Sequence, residues 1–341
     1  MKQLNCKTVF IHCLVGLGLL ITSLPSIASG LFEEDQPLTA QLKGPLSSVI
    51  RHKEDEKAYP FTLQHNGVEY QVQVRARGNS RKRICKFPPL RLEIEGDTPE
   101  DSPFHGQKNL KLVTHCQSSQ SAEANVLQEY AAYRFFSLLS PASFRVRLLK
   151  ISYLDSDKEK VIERHGFIIE PVDAVASRIN GEEVKRPAVS LKSLDDEQEA
   201  LVYVFQYLIG NTDWSLVSSE GSDECCHNGK LIDRNGELFY IPYDFDLSGL
   251  VNARYAYPDS SLPIKKVTQR LYRGFCLDQP TLRSAIRSVR SRETDFKHII
   301  DNLPALSASE SKKMYRFVDR FFDEAVDEEK ILQSIERRCL K

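Results

Sequence analysis

Three aspartates in the second half of the chain are of the residue type that binds divalent metal ions or orients a hydroxyl group. Asp244 and Asp246 occur in the run YIPYDFDLSG, directly after an apolar segment typical of a strand. Because alternate residues of a strand face the same side, both carboxylates could converge on one cation while Phe245 points into the core. Asp213 follows an apolar helical segment in the run NTDWS. Acids also end strands because loops are hydrated, so this pattern needs support from its surroundings.

The elements around these acids follow a definite order. Apolar and polar residues alternate on both sides of Asn66-Gly67, which predicts a β-hairpin over 61–76. The other predicted elements are strands at 90–95 and 109–114, a helix at 122–138, strands at 144–154 and 165–173, a helix at 195–208, strands at 229–233 and 237–243, and mostly helices from 277 onward.

This order of strands, helices and acidic loops is also the order of parts in a protein-kinase core. We therefore expect an α+β class with an atypical protein-kinase-like, two-lobed fold. The N-lobe, at about residues 40–170, is expected to be an antiparallel sheet, and the C-lobe, at about 171–341, mostly helical.

Phosphoryl transfer needs a carboxylate that orients the attacking hydroxyl, oxygen ligands for a metal ion, and positive charge around the nucleotide phosphates. Asp213 is the candidate catalytic carboxylate. Asn228, Asp244 and Asp246 are the candidate ligands for Mg²⁺ or Mn²⁺. The expected nucleotide is ATP.

Basic residues in the first half of the chain are the candidates for the phosphate-binding side. Arg77 and Asn79 lie in the run RARGNSRKR, which predicts a loop between strands that could hold a polyanion, although a solvated basic turn has the same pattern. Lys111 lies on a predicted strand before the helix that carries Glu129, and we expect these two residues to form an ion pair. Glu170 ends the run GFIIE, where a hinge between lobes would meet the adenine.

The runs RARGNSRKRICKFPPLRLEI, NTDWS, HNGK and IPYDFD occur together and in this order. Over roughly residues 70–255 the chain resembles the CotH (spore-coat protein H) kinase family of secreted atypical kinases. The resemblance implies an atypical kinase fold, ATP with a divalent metal, and phosphate transfer to hydroxyls of exported proteins. It also implies that Asp213 is the catalytic residue and that Asn228 accompanies it. Asp244 and Asp246 would then be the metal ligands.

The same resemblance makes Lys86, ahead of a Pro-aromatic strand, a rival of Lys111 for the nucleotide-binding lysine. Two features depart from the family: residues 216–226 separate NTDWS from HN, and Tyr243 stands where the family usually has Trp. A catalytically impaired pseudokinase, serving as an envelope binding scaffold, is therefore the alternative to an exported kinase that phosphorylates another protein or itself.

The N-terminal thirty residues have the pattern of a secretory signal peptide, with basic residues, an apolar stretch and small residues before a cleavage site near Ala28. We expect residues 1–28 to be removed and 29–341 to form one domain that is exported, periplasmic or extracellular, without stable membrane insertion. With 46 basic and 47 acidic side chains, the chain gives no reason to expect nucleic acid as a partner. The expected partners are an exported protein substrate and a nucleotide.

An even number of cysteines after the signal peptide predicts disulfides whose pairing the sequence leaves open. These are Cys85, Cys116, Cys225, Cys226, Cys276 and Cys339. A zinc site that combines His227 with Cys225, Cys226 and Cys276 is the competing interpretation. We interpret His115, His165 and His227 as structural, because no metal-ligand or nucleophile motif surrounds them.

Overall fold

The computed structural model describes residues 30–217 and 225–341, and the predicted signal peptide and most of 216–226 lie outside the described residues. The fold is mixed α+β. Its strands are β1 (Leu38–Gly44), β2 (Tyr59–His65), β3 (Val68–Ala76), β4 (Leu90–Ile94), β5 (Asn109–Val113), β6 (Val146–Asp155), β7 (Lys160–Ile169), β8 (Glu182–Val184), β9 (Gly229–Arg234) and β10 (Glu237–Pro242). Its helices are α1 (Leu46–Arg51), α2 (Ser80–Ile84), α3 (Gln120–Leu139), α4 (Val172–Arg178), α5 (Asp196–Ile209), α6 (Gln279–Ser291), α7 (Glu293–Asp301), α8 (Ala308–Ala325) and α9 (Glu328–Glu336).

Seven strands form a closed barrel in the order β1-β2-β3-β4-β5-β7-β6. The expectation of an antiparallel sheet fits the pairs formed by neighbouring strands, but β1 pairs with β6 in parallel, with Leu38 opposite Leu149. That pair closes the barrel and leaves neither β1 nor β6 as an open edge. The sequence analysis missed this closure because it did not recognise β1.

The barrel interior is a hydrophobic core of its own. Alternate residues point inward along each strand, so that in β3 the side chains of Tyr70, Val72 and Val74 are buried while the residues between them are more exposed. Phe104, in the connection before β5, is fully buried against Tyr70. The barrel therefore has a core separate from that of the helical half.

A second, larger core is built mainly by the helices. α3 carries Tyr130 and Tyr133, whose rings contact Phe167 of β7 at centroid distances of 5.9 and 5.5 Å. α5 is buried along most of its length, and Phe205 packs against Phe136 of α3. Among the helices of residues 30–217 and 225–341, none combines the length and apolarity needed to cross a membrane.

A small antiparallel sheet of order β10-β9-β8 lies at the start of this second half. α5 ends at Gly210, whose φ of +63° makes the left-handed turn that glycine adopts without steric cost. A Cβ at Gly210 would also come within 2.8 Å of the Phe317 ring. This turn directs the chain into Asn211, Thr212 and Asp213, next to β9.

Most sequence-predicted elements are present within a few residues of the expected bounds. The hairpin turns at Asn66-Gly67 as predicted, with Val68 opposite His65. The sequence analysis missed β1, α1, α2, α4 and β8; it took α2 for a loop and extended a predicted strand to residue 173, within α4. The three missed helices have at most seven residues, about two turns, which is too short for a helical period to be evident, and β8 has three residues.

The six cysteines of the described chain form three disulfides, which are Cys85–Cys116, Cys225–Cys226 and Cys276–Cys339. The pairing leaves no thiolate for the zinc site considered from the sequence, and that interpretation is wrong for this structure. The first disulfide joins the end of α2 to the segment after β5, while the third joins the segment before α6 to the C-terminus.

Candidate functional site

The two aspartates of the DFD run lie in a loop just after β10 and not on the strand, which corrects the expected geometry. Asp244 adopts a φ of +62°, and its backbone N–H donates to the Tyr133 hydroxyl over 2.8 Å. Phe245 is fully buried between Tyr133 and Phe205, as the sequence predicted for a core residue. Phe245 is packed in the core, and the carboxylates of Asp244 and Asp246, on either side of it, converge on one point.

That point is the guanidinium of Arg81, on the short helix α2. Its Nη2 lies 2.9 Å from Glu129 Oε1 and 2.6 Å from Asp244 Oδ1, and its Nε lies 2.8 Å from Asp246 Oδ2. The Arg81, Glu129 and Asp246 side chains are each less than 10% exposed, whereas the Asp244 side chain is 42% exposed. We call these four residues the Arg81 cluster. Buried acids placed this close require a positive charge between them.

This arrangement corrects the predicted ion pair between Lys111 and Glu129. Glu129 is on the predicted helix, α3, but its partner is Arg81. The backbone of α2 is held near α3 because Cys85, whose N–H bonds to the Arg81 carbonyl, is linked to Cys116. The sequence analysis located Glu129 on the correct helix, but it predicted Lys111 as its partner where the structure has Arg81.

Burial and mutual charge shift the pKa values within the Arg81 cluster in opposite directions. Burial raises the pKa of Asp246 to about 8 against the opposing effect of Arg81, and the neighbouring carboxylates add to the rise. Burial also raises the pKa of Glu129. For Asp244, burial is outweighed by the Arg81 guanidinium, so its pKa lies below the usual value. Asp244 is thus the carboxylate of the cluster that combines exposure with a stable negative charge.

Asp213 lies in a second group of polar residues, with His227 and Asn228. Its Oδ1 is 2.8 Å from His227 Nε2, and the Asn228 side-chain amide donates to its Oδ2 over 2.9 Å and to its carbonyl over 2.7 Å. The hydrogen bond with Asp213 raises the pKa of His227, with burial opposing the rise. The interpretation of His227 as purely structural does not account for this contact.

Asn228 connects Asp213 to the DFD loop. Its side chain bonds to Asp213, and its backbone carbonyl accepts from the N–H of Tyr243, the residue before Asp244. His227 is close enough to Asp244 for that carboxylate to contribute to its raised pKa. The two acidic loops predicted from the sequence are therefore neighbours, brought together at one end of the β9–β10 hairpin.

Positive groups that form no ion pair in the described chain approach the same region from the barrel. Burial, together with the charges of Arg77 and Lys230, lowers the pKa of Lys111 to about 8. Arg77, at the end of β3, is close enough to Asp244 to interact electrostatically with it, and burial lowers its pKa. Lys230 is paired with Glu183 of β8 over 3.4 Å. Lys111 is therefore close enough to Lys230 and Glu183 of the small sheet to interact electrostatically with both, and we call the region between the barrel cations and the β9–β10 hairpin the cleft.

The remaining nucleotide-side candidates have other surroundings. Asn79 is exposed and precedes α2 without a side-chain capping bond, and Lys86 is exposed beside the Cys85–Cys116 disulfide. The Glu170 carboxylate is buried and accepts hydrogen bonds from Arg178 and from the backbone N–H of Arg145. Glu170 thus ties α4 to the end of β7, which corrects its placement as a group open to adenine.

The donor set fits a metal ion that takes part of its coordination from a bound molecule. Among the described residues, no three His, Cys, Asp or Glu side chains converge as a metal site of their own. Magnesium usually binds through one or two carboxylates together with phosphate oxygens and water. Asp244 and Asp246 provide that number of carboxylates, and the Asn228 amide oxygen is in no described hydrogen bond.

Sequence reasoning missed the contributions of four residues to this region. Arg81 and His227 lie within motifs that the sequence analysis had singled out, RARGNSRKR and HNGK, but spacing could not show which side chains of these motifs contact the aspartates. Tyr133 and Tyr255 hold Asp244 and Asp246 through their hydroxyl groups. Tyr133 lies on a largely apolar helix and Tyr255 in a loop, and at neither place does an aromatic residue by itself predict a hydrogen bond to an aspartate or its backbone.

No protein-family model and no curated protein sequence matches the chain. Among solved structures, the Helicobacter pylori proinflammatory kinase CtkA aligns with a TM-score of 0.35 and 14% identity, covering 82% of this chain and 91% of that chain. A chain of the Shewanella oneidensis MR-1 toxin–antitoxin HipA, HipB and operator DNA complex aligns with a TM-score of 0.38 and 10% identity. That alignment covers 87% of this chain and 74% of the other. Similarity at this level does not by itself assign a function.

Proposed function

We propose that this protein is an exported, metal-dependent phosphotransferase of atypical kinase type that transfers phosphate from ATP to hydroxyl groups of an exported protein or of itself. The observation that carries the proposal is the bridge through Asn228, which joins Asp213 to the loop of Asp244 and Asp246. In protein kinases the carboxylate that orients the acceptor hydroxyl lies next to the loop that binds the metal ion, because both act on the same phosphate.

The cleft also has the charge distribution that a metal–nucleotide complex requires. Acidic groups lie on the side of the β9–β10 hairpin, and Lys111 and Arg77 approach from the barrel without a carboxylate partner of their own. Cations held close to each other in a partly buried cleft are stabilised by an incoming polyanion. The barrel and the helical half would then correspond to the two lobes of a kinase.

Each side chain has a distinct role in the proposed reaction. Asp213 orients the acceptor hydroxyl and accepts its hydrogen bond, while His227 and Asn228 fix the direction of its carboxylate. Asp244 and Asp246 would hold the metal ion, which supplies charge neutralisation to the phosphates when it is bound. Lys111 and Arg77 would bind the phosphates and keep them in line with the acceptor.

The Arg81 cluster favours a second candidate function. Arg81 already neutralises Asp244 and Asp246, so a metal ion must share these oxygens with the guanidinium or displace it. A scaffold in which Arg81 permanently takes the place of the metal would bind partners without transferring phosphate. The two functions differ in whether Mn²⁺ and ATP gain access to Asp244.

Labelled ATP separates the two functions. We expect the mature chain with Mn²⁺ to incorporate labelled phosphate, and Asp213→Ala and Asp244→Ala each to reduce the rate by about 10²-fold or more. Asp97→Ala is the matched control, because Asp97 is exposed on the barrel and is in no described ion pair. A thermal shift with nucleotide but no transfer would support the scaffold, and no response to any nucleotide or metal would contradict both functions.

A further inference from the structure

A basic groove runs along one face of α8, outside the cleft described above. Its volume is about 610 Å³, and its basic residues are Arg254, Lys313, Arg316 and Arg320. The one acidic residue in its lining, Glu310, is paired with Lys313 over 2.8 Å. The groove therefore carries a clear excess of positive charge in a chain whose total charge is close to zero.

The arginines of this groove lack the partners that arginines have elsewhere on the helical half. Arg283 and Arg287 of α6 both pair with Glu328 of α9. In contrast, no carboxylate of the described residues lies within ion-pair distance of Arg254, Arg316 or Arg320, and all three are exposed. Their charges are thus available to a ligand.

The groove continues into a cavity that reaches the Arg81 cluster. This cavity, of about 380 Å³, is lined by Arg81, Glu129 and Asp246. Arg254 lines both the groove and the cavity, and so does Asn125 of α3, which donates to the Val251 carbonyl over 2.9 Å. A ligand bound along α8 would consequently lie next to the segment that follows the DFD loop.

We propose that this groove is a docking surface for an extended acidic segment of a protein partner. Arg316 and Arg320 are four residues apart on α8, which places them about 6 Å apart along the helix axis. Alternate side chains of an extended peptide are separated by about 6.5 Å, so acids at every second position match the two guanidiniums. Arg254 would accept a third acid at the end of the groove nearest the Arg81 cluster.

A polypeptide suits the groove better than a single-stranded nucleic acid. Single-stranded nucleic acids are held by stacking of bases on exposed aromatic rings. The one aromatic residue in the groove lining is Phe317, which is 7% exposed. The docked protein would also be the phosphate acceptor, a role that rests on the proposed kinase function, whereas the binding itself does not.

Fluorescence anisotropy with a labelled peptide in which aspartate alternates with serine tests the docking surface. The protein carries Asp213→Ala in every measurement and no nucleotide is added, so the result is independent of catalysis. We expect Arg316→Ala combined with Arg320→Ala to weaken binding by about five- to twentyfold. Raising the salt from about 0.05 M to about 0.5 M should weaken the binding of the parent protein and have less effect on the variant.

Arg337→Ala combined with Arg338→Ala is the matched control, because both arginines are exposed and neither lines the groove. This control should bind the acidic peptide as the parent does, and a peptide in which asparagine alternates with serine should not bind. Equal affinity of the parent and the Arg316/Arg320 variant would overturn the proposal. An oligothymidylate that binds to the groove as tightly as the peptide would overturn it as well. If docking succeeds and phosphate transfer fails, the surface stands without the kinase.

Discussion

The cations on the two sides of the cleft differ in whether they are paired with carboxylates. On the side of α3, Arg81 is saturated by Glu129, Asp244 and Asp246, and every member of the cluster has a partner. On the side of the barrel, Lys111 is partly buried near Arg77, and burial together with the neighbouring cations lowers its pKa to about 8. The first arrangement maintains structure, and the second favours binding of an anion.

The difference has an energetic consequence. Removing a cation from a saturated buried cluster leaves acids unpaired and destabilises the fold. Removing a cation that already lacks a partner relieves repulsion and desolvation, so the loss appears in ligand binding only. Substitutions at Arg81 and Lys111 should thus separate stability from nucleotide affinity.

The largest expected effect is that of Arg81→Met. It leaves Glu129 and Asp246 buried without a positive partner, and we expect a loss of about 3–5 kcal/mol in the free energy of unfolding, measured by urea denaturation. Arg81→Lys, which retains the charge with fewer hydrogen bonds, should lose less. A loss below about 1 kcal/mol for Arg81→Met would show that the acids are satisfied in another way.

The control for Arg81→Met is Arg75→Met. Arg75 pairs with Glu93 over 3.1 Å on the barrel surface, and about a third of each side chain is exposed. Exposed pairs contribute at most about 1 kcal/mol, so this variant should unfold close to the parent. Equal losses at Arg75 and Arg81 would remove the distinction between a saturated cluster and a surface pair.

Lys111→Met should have a smaller effect, and one of a different kind. We expect the affinity for an ATP analogue to fall by about 10- to 100-fold, the range of one or two charge-assisted hydrogen bonds, without any decrease in the free energy of unfolding. Calorimetric titration and urea denaturation of the same preparation measure both quantities. Lys86→Met is the matched control, because Lys86 is exposed. A decrease in affinity for Lys86→Met alone would transfer the nucleotide-binding role to Lys86.

The positions of the acids were predictable from the sequence, whereas their partners were not. Asp213 follows the apolar helix α5 and Asp244 follows the short apolar strand β10, and the strand–turn–strand between them brings both to one region. The cation that neutralises an acid depends on how elements pack across about fifty residues, as between Arg81 and Glu129. Five basic residues cluster near Arg81, and charge alone does not distinguish among them.

Closure of the barrel also depends on a contact between distant segments that local sequence does not predict. The hairpin of β2 and β3 is local, and Asn66-Gly67 specifies its register. Closure depends on β1, which pairs in parallel with β6 more than a hundred residues away. No local pattern encodes such a contact, so the sequence led to a sheet where the structure has a barrel.

Tyr133→Phe tests whether the Tyr133 hydroxyl positions Asp244 within the Arg81 cluster. The variant removes the hydroxyl that accepts from the Asp244 backbone N–H, and we expect a loss of about 1 kcal/mol in stability together with weaker binding of Mn²⁺ and ATP. Tyr130→Phe on the same helix is the control, because the Tyr130 hydroxyl accepts from Arg134 and not from the loop. Both variants should lose similar stability, and Tyr133→Phe alone should weaken metal–nucleotide binding. Equal binding by the two variants would mean that the hydroxyl does not position Asp244.

The smallest expected effect is the uptake of part of a proton when the proposed nucleotide binds beside Lys111. Burial and neighbouring cations lower the pKa of Lys111 to about 8, so about half of its population is neutral at pH 8. Phosphate groups would favour the charged form and raise this pKa, and binding should then take up about half a proton at pH 8, more at pH 9 and almost none at pH 6.5. Titration calorimetry of a non-hydrolysable ATP analogue in two buffers of different ionisation enthalpy measures this number. Lys111→Met should abolish the proton uptake, because the variant has no amine that could be protonated. The same uptake in that variant would show that another group takes up the proton, and it would contradict the binding of phosphate by Lys111.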